Sequence, residues 1–199
     1  GTGVALITPF NEDLSIDYIG LEKLINYQIN GGIDYLVLMG TTGESAVLSK
    51  QEKQEIITFC IKINNGVLPI VLGIGGNNTL ALVEEIKQTN FIGVDAVLSV
   101  SPCYNRPTQE GIYQHYKMIA QACPLPIIVY NVPGRTASNM EAETTLRLAN
   151  EFKNIVAVKE ASGDMVQIMK IIKNKPSDFV VLSGDDGLTL PMIYMGAEG

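Results

Sequence analysis

Lys159 closes the short apolar run Ile155-Val156-Ala157-Val158 and is followed by Glu160-Ala161-Ser162-Gly163. Such a run reads as a buried strand, and strand side chains alternate between faces. With Val156 and Val158 turned toward covering helices, Ala157 and Lys159 turn inward. An ammonium group pointing inward at the end of an apolar strand is costly unless it is paired. Two readings account for it. In one, the side chain snorkels to water or meets an acid. In the other, the desolvated amine is neutral at working pH and attacks a carbonyl carbon, forming a Schiff base.

Other chemistry-bearing residues follow other apolar runs. Thr41 and Thr42 follow the run 35–39, Asn77 follows 70–74, and Tyr104 follows 96–100. Tyr130 ends the run 127–130, with Arg135 just beyond it, and Gly184 follows 180–183. Hydroxyls and loop N–H groups bind a carboxylate, Arg binds a second one with paired hydrogen bonds, and tyrosines carry protons to and from a carbinolamine. The set suits a small carboxylated carbonyl compound. Each residue also has a purely structural counterpart. Tyr130 fits a core aromatic, the two threonines fit a glycine-flanked turn, and Arg135 fits a surface pair with Glu141.

The elements that must position these residues alternate strand and helix throughout. The strands are short and apolar enough to be buried on both faces, which is the pattern of a parallel α/β fold. Helix starts are marked by Ser15 or Asp17, by the Ser49/Glu52 capping box, and by Thr79, Thr108 and Asp164. Weak repeats mark the junctions: Gly32-Ile33-Asp34-Tyr35-Leu36-Val37 resembles Gly93-Val94-Asp95-Ala96-Val97-Leu98, and Leu68-Pro69-Ile70-Val71 resembles Leu125-Pro126-Ile127-Ile128. Seven strands are expected, and Gly196-Ala197-Glu198-Gly199 resembles the approach to an eighth. The expected fold is one domain over residues 1–199. It is an α/β (β/α)8 TIM barrel cut short before the eighth strand and C-terminal helices. An open doubly wound sheet is the alternative. In such a barrel, function lies at the C-terminal ends of the strands, where every residue named above falls.

Several chemistries are disfavoured. The net charge is −7, with 14 Lys+Arg against 21 Asp+Glu and no basic run, which argues against nucleic acid. Apolar runs are of strand length, too short for a membrane helix. No signal peptide is visible, and the missing initiator Met points to a few absent residues. Cys60, Cys103 and Cys123 are odd in number and widely spaced, as expected in a reducing cytoplasm. The single histidine, His115, is expected on the surface of a helix, which speaks against a Ser-His-Asp hydrolase or a His-ligated metal aldolase. Gly73-Ile74-Gly75-Gly76-Asn77-Asn78 lacks the third glycine of a dinucleotide fingerprint and reads as a tight turn. Asp185 and Asp186 read as a helix-capping loop in preference to metal ligands.

Four motifs together resemble the dihydrodipicolinate synthase family, within the pyruvate-dependent class I aldolases that include N-acetylneuraminate lyase. They are Gly40-Thr41-Thr42-Gly43-Glu44-Ser45, Tyr104-Asn105-Arg106-Pro107, Tyr130-Asn131-Val132-Pro133-Gly134-Arg135-Thr136 and Val158-Lys159-Glu160-Ala161. The resemblance covers the whole chain. It implies that Lys159 forms the Schiff base with pyruvate. It also implies that Tyr130 relays protons with Thr41 and Tyr104, the latter reaching into a neighbouring subunit's site. Thr42 would hold the pyruvate carboxylate, and Arg135 the carboxylate of L-aspartate 4-semialdehyde. Gly184 would line the substrate site. The implied product is 4-hydroxy-tetrahydrodipicolinate, at the head of the route to diaminopimelate and lysine. The implied assembly is a homotetramer without metal or organic cofactor. The sialic-acid lyase branch lacks the Arg-Thr after the Pro. A keto-sugar-acid aldolase and a non-catalytic barrel used as a binding module are the competing readings.

Two departures from the family set further expectations. Ending before the eighth strand leaves open edges, so this segment alone is expected to be inactive or poorly folded. Lysine-inhibited members resemble the chain at Ser45 and Asn77. Several of them carry His where Lys50 and Lys53 stand, Glu at Ala81 and Tyr at Cys103. Weak or absent inhibition by lysine is therefore expected.

Overall fold

Each apolar run of four to six residues becomes a strand, and each amphipathic stretch after it becomes a helix that covers it. The computed structural model describes residues 1–199, which divide into two compact units.

The first unit comprises residues 1–73 and 91–96. Its strands β1 (Gly3–Ala5), β2 (Tyr35–Leu38) and β3 (Ile70–Gly73) pair in parallel, with Val4 beside Leu36 and Val37 beside Val71. Helix α1 (Tyr18–Asn30) is capped by Asp17, which accepts from the Gly20 N–H at 2.8 Å. Helix α2 (Lys50–Asn64) opens on the expected capping box, with Ser49 and Glu52 each accepting the other's backbone N–H. These helices bury Leu21, Ile25, Ile56 and Cys60. Asp95 starts β3 by accepting the Ile70 N–H at 2.7 Å. The first strand is shorter than the apolar run 4–8 suggested, because Thr8 leaves the ladder and donates its hydroxyl to the Gly43 carbonyl at 2.6 Å.

The second unit comprises residues 74–90 and 97–199. Strand β4 (Ala96–Val100) pairs from Val97 onward with β5 (Ile127–Asn131), which pairs with β6 (Ile155–Glu160), which pairs with β7 (Val180–Ser183). All these pairings are parallel. The helices are α3 (Thr79–Gln88), α4 (Gln109–Ala122), the single turn α5 (Pro133–Thr136), α6 (Ala142–Glu151), α7 (Met165–Asn174) and α8 (Thr189–Met195). Asn78, Thr108 and Asp164 cap α3, α4 and α7 through their side chains. One irregularity matters for function. Ile127 faces Ile155, but Ile128 faces Ala157, so Val156 is an extra residue on β6. Without that bulge Tyr130 would lie opposite Val158; with it, Tyr130 lies opposite Lys159.

His115 corrects a sequence expectation. It is not on the surface but 3% exposed on α4, where its Nδ1 shares a 2.8 Å hydrogen bond with Thr79 Oγ1. The reason is helical period: Ile112, His115, Tyr116 and Ile119 fall at i, i+3, i+4 and i+7, one apolar stripe. Burial pushes the imidazole pKa down to about 4. No helix of the chain is long and apolar enough to cross a membrane.

Candidate active site

Strand β6 delivers Lys159 with its side chain across the ring of Tyr130 on the neighbouring β5. The Lys159 Nζ stands 4.7 Å from the ring centroid. Lys159 is half-buried, and burial holds its pKa below the usual lysine value. The Arg135 charge pushes in the same direction, and Asp186 opposes both. A depressed ammonium pKa leaves more neutral amine, the nucleophilic form, at a given pH. Tyr130 is 7% exposed, and burial raises its phenol pKa while Arg135 pulls it back. Its hydroxyl therefore keeps its proton near neutrality, as a donor must.

Gly184, just after β7, explains how the amine is aimed. A Cβ there would sit 2.8 Å from the Ala161 Cβ, 3.0 Å from the Lys159 Cε and 3.1 Å from its Cγ. The lysine stem lies in the space a side chain would fill. The Gly184 N–H donates to the Glu160 carbonyl at 2.8 Å, so the glycine continues the β6–β7 ladder.

Arg135 sits on α5, the single turn that follows β5. Pro133 starts this turn, where its missing N–H costs nothing, and Ala137 ends it in the left-handed region at φ 58°. Thr136 is buried and secures the turn by donating its hydroxyl to the carbonyls of Val132 and Ser138. The Arg135 side chain is exposed and forms no ion pair, neither with Glu141 nor with another acid. A free guanidinium within electrostatic reach of both Lys159 and Tyr130 is a ready carboxylate receptor.

Tyr104 stands apart from that cluster. Its backbone N–H donates to the Thr136 carbonyl at 3.2 Å, but its side chain is 89% exposed. Its φ of 63°, with 47° at Arg106, puts two non-glycine residues of this loop in the left-handed region.

In the first unit, Thr41 and Thr42 occupy a 3-10 turn directly after β2. Gly40 precedes it, Gly43 is held by the Thr8 hydroxyl, and Glu44 leaves it at φ 53°. Both threonines are exposed. The motif forms a glycine-flanked turn, and both threonines stand past a strand's C-terminal end.

Two residues beside the cluster were not among the expected site residues. Asp186 acts on Lys159 by its charge, whereas the Asp185 side chain accepts the Gly187 N–H in the expected capping manner. Glu160, one residue past the lysine, is fully buried on the opposite face of β6. The signal for it was available, because alternation places any residue after an inward Lys159 on the helix-covered face. No group of three or more His, Cys, Asp or Glu stands together as a metal site.

Comparison with known proteins agrees with this architecture. The family model described as the dihydrodipicolinate synthetase family matches residues 1–199. The 4-hydroxy-tetrahydrodipicolinate synthase of Flavobacterium psychrophilum is 61% identical over 199 residues, covering 100% of this chain and 68% of that protein. The enzyme of the same name from Parabacteroides distasonis is 59% identical, covering 100% of this chain and 67% of its own. The crystal structure of dihydrodipicolinate synthase from Aquifex aeolicus superposes with a TM-score of 0.94 at 44% identity, over 100% of this chain and 68% of that one. The fold is thus the parallel β/α succession of a TIM barrel, with seven of its strands present. The chain belongs to the dihydrodipicolinate synthetase family.

Proposed function

We propose that the chain is a Schiff-base-forming lyase that condenses pyruvate with L-aspartate 4-semialdehyde to 4-hydroxy-tetrahydrodipicolinate, the first step toward diaminopimelate and lysine. One observation carries the chemistry: the Lys159 amine, its pKa depressed by burial, lies 4.7 Å from the Tyr130 ring on paired strands, in a chain 61% identical to a named synthase.

The neutral Lys159 amine attacks the ketone carbon of pyruvate. Tyr130 supplies a proton to the departing oxygen, water leaves, and an imine remains. Loss of a methyl proton converts the imine to an enamine. The enamine carbon adds to the aldehyde carbon of the second substrate, whose oxygen takes up a proton. The amino group of that substrate then attacks the imine carbon, closes the ring and releases Lys159. Thr42 is assigned the pyruvate carboxylate, and Thr41 the proton relay with Tyr130. Arg135 is assigned the carboxylate of the aldehyde substrate, and its freedom from any ion pair supports that role. Gly184 leaves room for the lysine stem. Tyr104 is assigned to a neighbouring subunit's site in a homotetramer, which its 89% exposure supports, and the three free cysteines support a cytoplasmic location.

Reductive trapping tests the reading. The full-length chain is mixed with pyruvate, reduced with borohydride, digested and analysed by mass spectrometry. The expected adduct lies on Lys159 and disappears in Lys159→Ala. A folded protein that gives no adduct would overturn the proposal. A panel of aldehydes separates the synthase from a keto-sugar-acid aldolase, with Arg135→Met expected to weaken use of the carboxylated aldehyde.

A further inference from the structure

The helix-covered face of β6 carries an ionisable group that the reaction above leaves unused. Glu160 has no exposed surface. Its Oε1 accepts from the Ser162 N–H at 2.8 Å and from Asn131 Nδ2 at 3.1 Å. Its Oε2 accepts from Asn131 Nδ2 at 3.2 Å and Gln167 Nε2 at 3.2 Å. Every partner is a donor, which is the arrangement an acceptor-only carboxylate requires.

The donors are themselves fixed. Asn131 is fully buried; its Oδ1 accepts the Met140 N–H at 2.9 Å, and its Nδ2 also donates to Asn139 Oδ1 at 2.8 Å. Asn139 Nδ2 donates to Gln167 Oε1 at 2.9 Å, and Gln109 Nε2 donates to the Asn139 carbonyl at 2.8 Å. The network therefore fastens together the ends of β5 and β6, the helices α4 and α7, and the segment that leaves the Arg135 turn.

We propose that Glu160, acting through Asn131 and Gln167, is a positioning residue that sets the register at which Lys159 meets Tyr130. The inference rests on the Schiff-base reading of Lys159. Asn131 and Glu160 are the register pair directly after Tyr130 and Lys159. The bulge at Val156 means that regular pairing from Ile127 and Ile155 would offer Tyr130 a different partner, Val158. A slip of one residue exchanges the faces of every side chain beyond it. It would take Glu160 out of a shell of donors and leave its charge buried and unpaired. Apolar residues could fill the same volume, but they would tolerate either register. A fully satisfied polar network permits one arrangement only.

Glu160→Gln tests this in the full-length chain. It keeps the shape but turns an NH2 group toward donors. The readouts are the single-turnover rate of borohydride trapping of pyruvate on Lys159, kcat, and the melting temperature. We expect trapping and kcat to fall together by about 100-fold, the loss associated with a misplacement of about 1 Å. The double variant Asn131→Asp with Glu160→Gln moves the carboxylate to the other strand and restores donor to acceptor between these two residues alone, leaving the Met140 carbonyl and the Ser162 and Gln167 donors mismatched. It is expected to recover part of the trapping rate lost in Glu160→Gln. A merely structural role would lower the melting temperature and leave the folded fraction trapping normally. Should Glu160→Gln not fold, Gln167→Met removes one half-buried donor to Glu160, together with the acceptor of Asn139 Nδ2, and is expected to give a smaller fall in trapping. Folded variants that trap at the wild-type rate would overturn the inference while the Lys159 reading stands. A wild-type chain that gives no adduct would overturn both.

Discussion

Gly184→Ala is the most economical probe of the site, because it adds one methyl group where the lysine stem passes. The backbone at Gly184 is not in the left-handed region, so strain there does not obscure the result. The new Cβ would lie 2.8 Å from the Ala161 Cβ and 3.0 Å from the Lys159 Cε, inside the 3.4 Å at which ordinary contact begins. Ala161 is anchored through its backbone N–H to the Asn131 carbonyl, so the flexible lysine gives way first. Clearing the 3.0 Å contact moves the lysine stem by about 0.4 Å; with about 100-fold lost per 1 Å of misplacement, the trapping rate falls about sixfold. Overpacking adds a stability cost of about 1–3 kcal/mol. The assay is stopped-flow or quenched trapping of pyruvate with borohydride, beside a thermal melt of the same preparation. A folded Gly184→Ala protein that traps pyruvate at the wild-type rate would refute the idea that this glycine makes room for Lys159.

Charge around the amine gives a pair of opposed shifts. Imine formation rises with pH through the Lys159 pKa, which burial and Arg135 depress and Asp186 raises. Arg135→Met should move that rising limb to higher pH and Asp186→Asn to lower pH; shifts in the same direction would refute the electrostatic account. Because Arg135 and Asp186 are exposed, salt should shrink both shifts. His115 makes stability depend on acid. Its folded pKa of about 4 lies below the ordinary 6.5, so the unfolded chain binds the extra proton first as pH falls. The contribution is fully present above pH 6.5 and is lost toward pH 4, about 3 kcal/mol in all. Urea midpoints measured down that range should drop less in His115→Gln than in the wild type. Finally, Cys60 and Cys123 are buried, with burial pushing the Cys60 thiol up to about 12, whereas Cys103 is exposed. A thiol reagent on the native protein should label Cys103 first, and rapid labelling of Cys60 would contradict its burial.

The positions of the catalytic candidates were legible because strand ends are legible. Apolar runs of four to six residues, caps such as Ser49/Glu52 and Asp164, and the junction repeats located β2, β5, β6 and β7. The barrel rule then placed Thr41, Tyr130, Lys159 and Gly184 at their C-terminal ends. The type of His115 points to a surface position, but its neighbours decide otherwise: three residues after Ile112 and four before Ile119, it shares their stripe. The β6 bulge left no mark in the sequence. Ile155-Val156-Ala157-Val158 is uniformly apolar, and nothing in its composition says which residue is the extra one. The free state of Arg135 was likewise illegible, because whether Glu141 reaches it depends on the path of the chain between them.

The two faces of β6 divide one problem between them. On the proposed Schiff-base reading, catalysis needs Lys159 partly desolvated and free of an ion pair, a state that burial alone does not favour. A strand end holding such a group gains nothing from the group itself, so another part of the fold must fix its position. Glu160, the next residue, turns to the opposite face and meets only donors there. Its own burial raises its pKa, while the hydrogen bonds from Ser162, Asn131 and Gln167 work against that rise. The carboxylate is thus satisfied where the amine is not. Because strand alternation makes these neighbours point apart, the satisfied group fixes the backbone without neutralising the reactive one. A direct Lys159–Glu160 ion pair would have secured the same strand end, but it would have kept the amine protonated and unreactive.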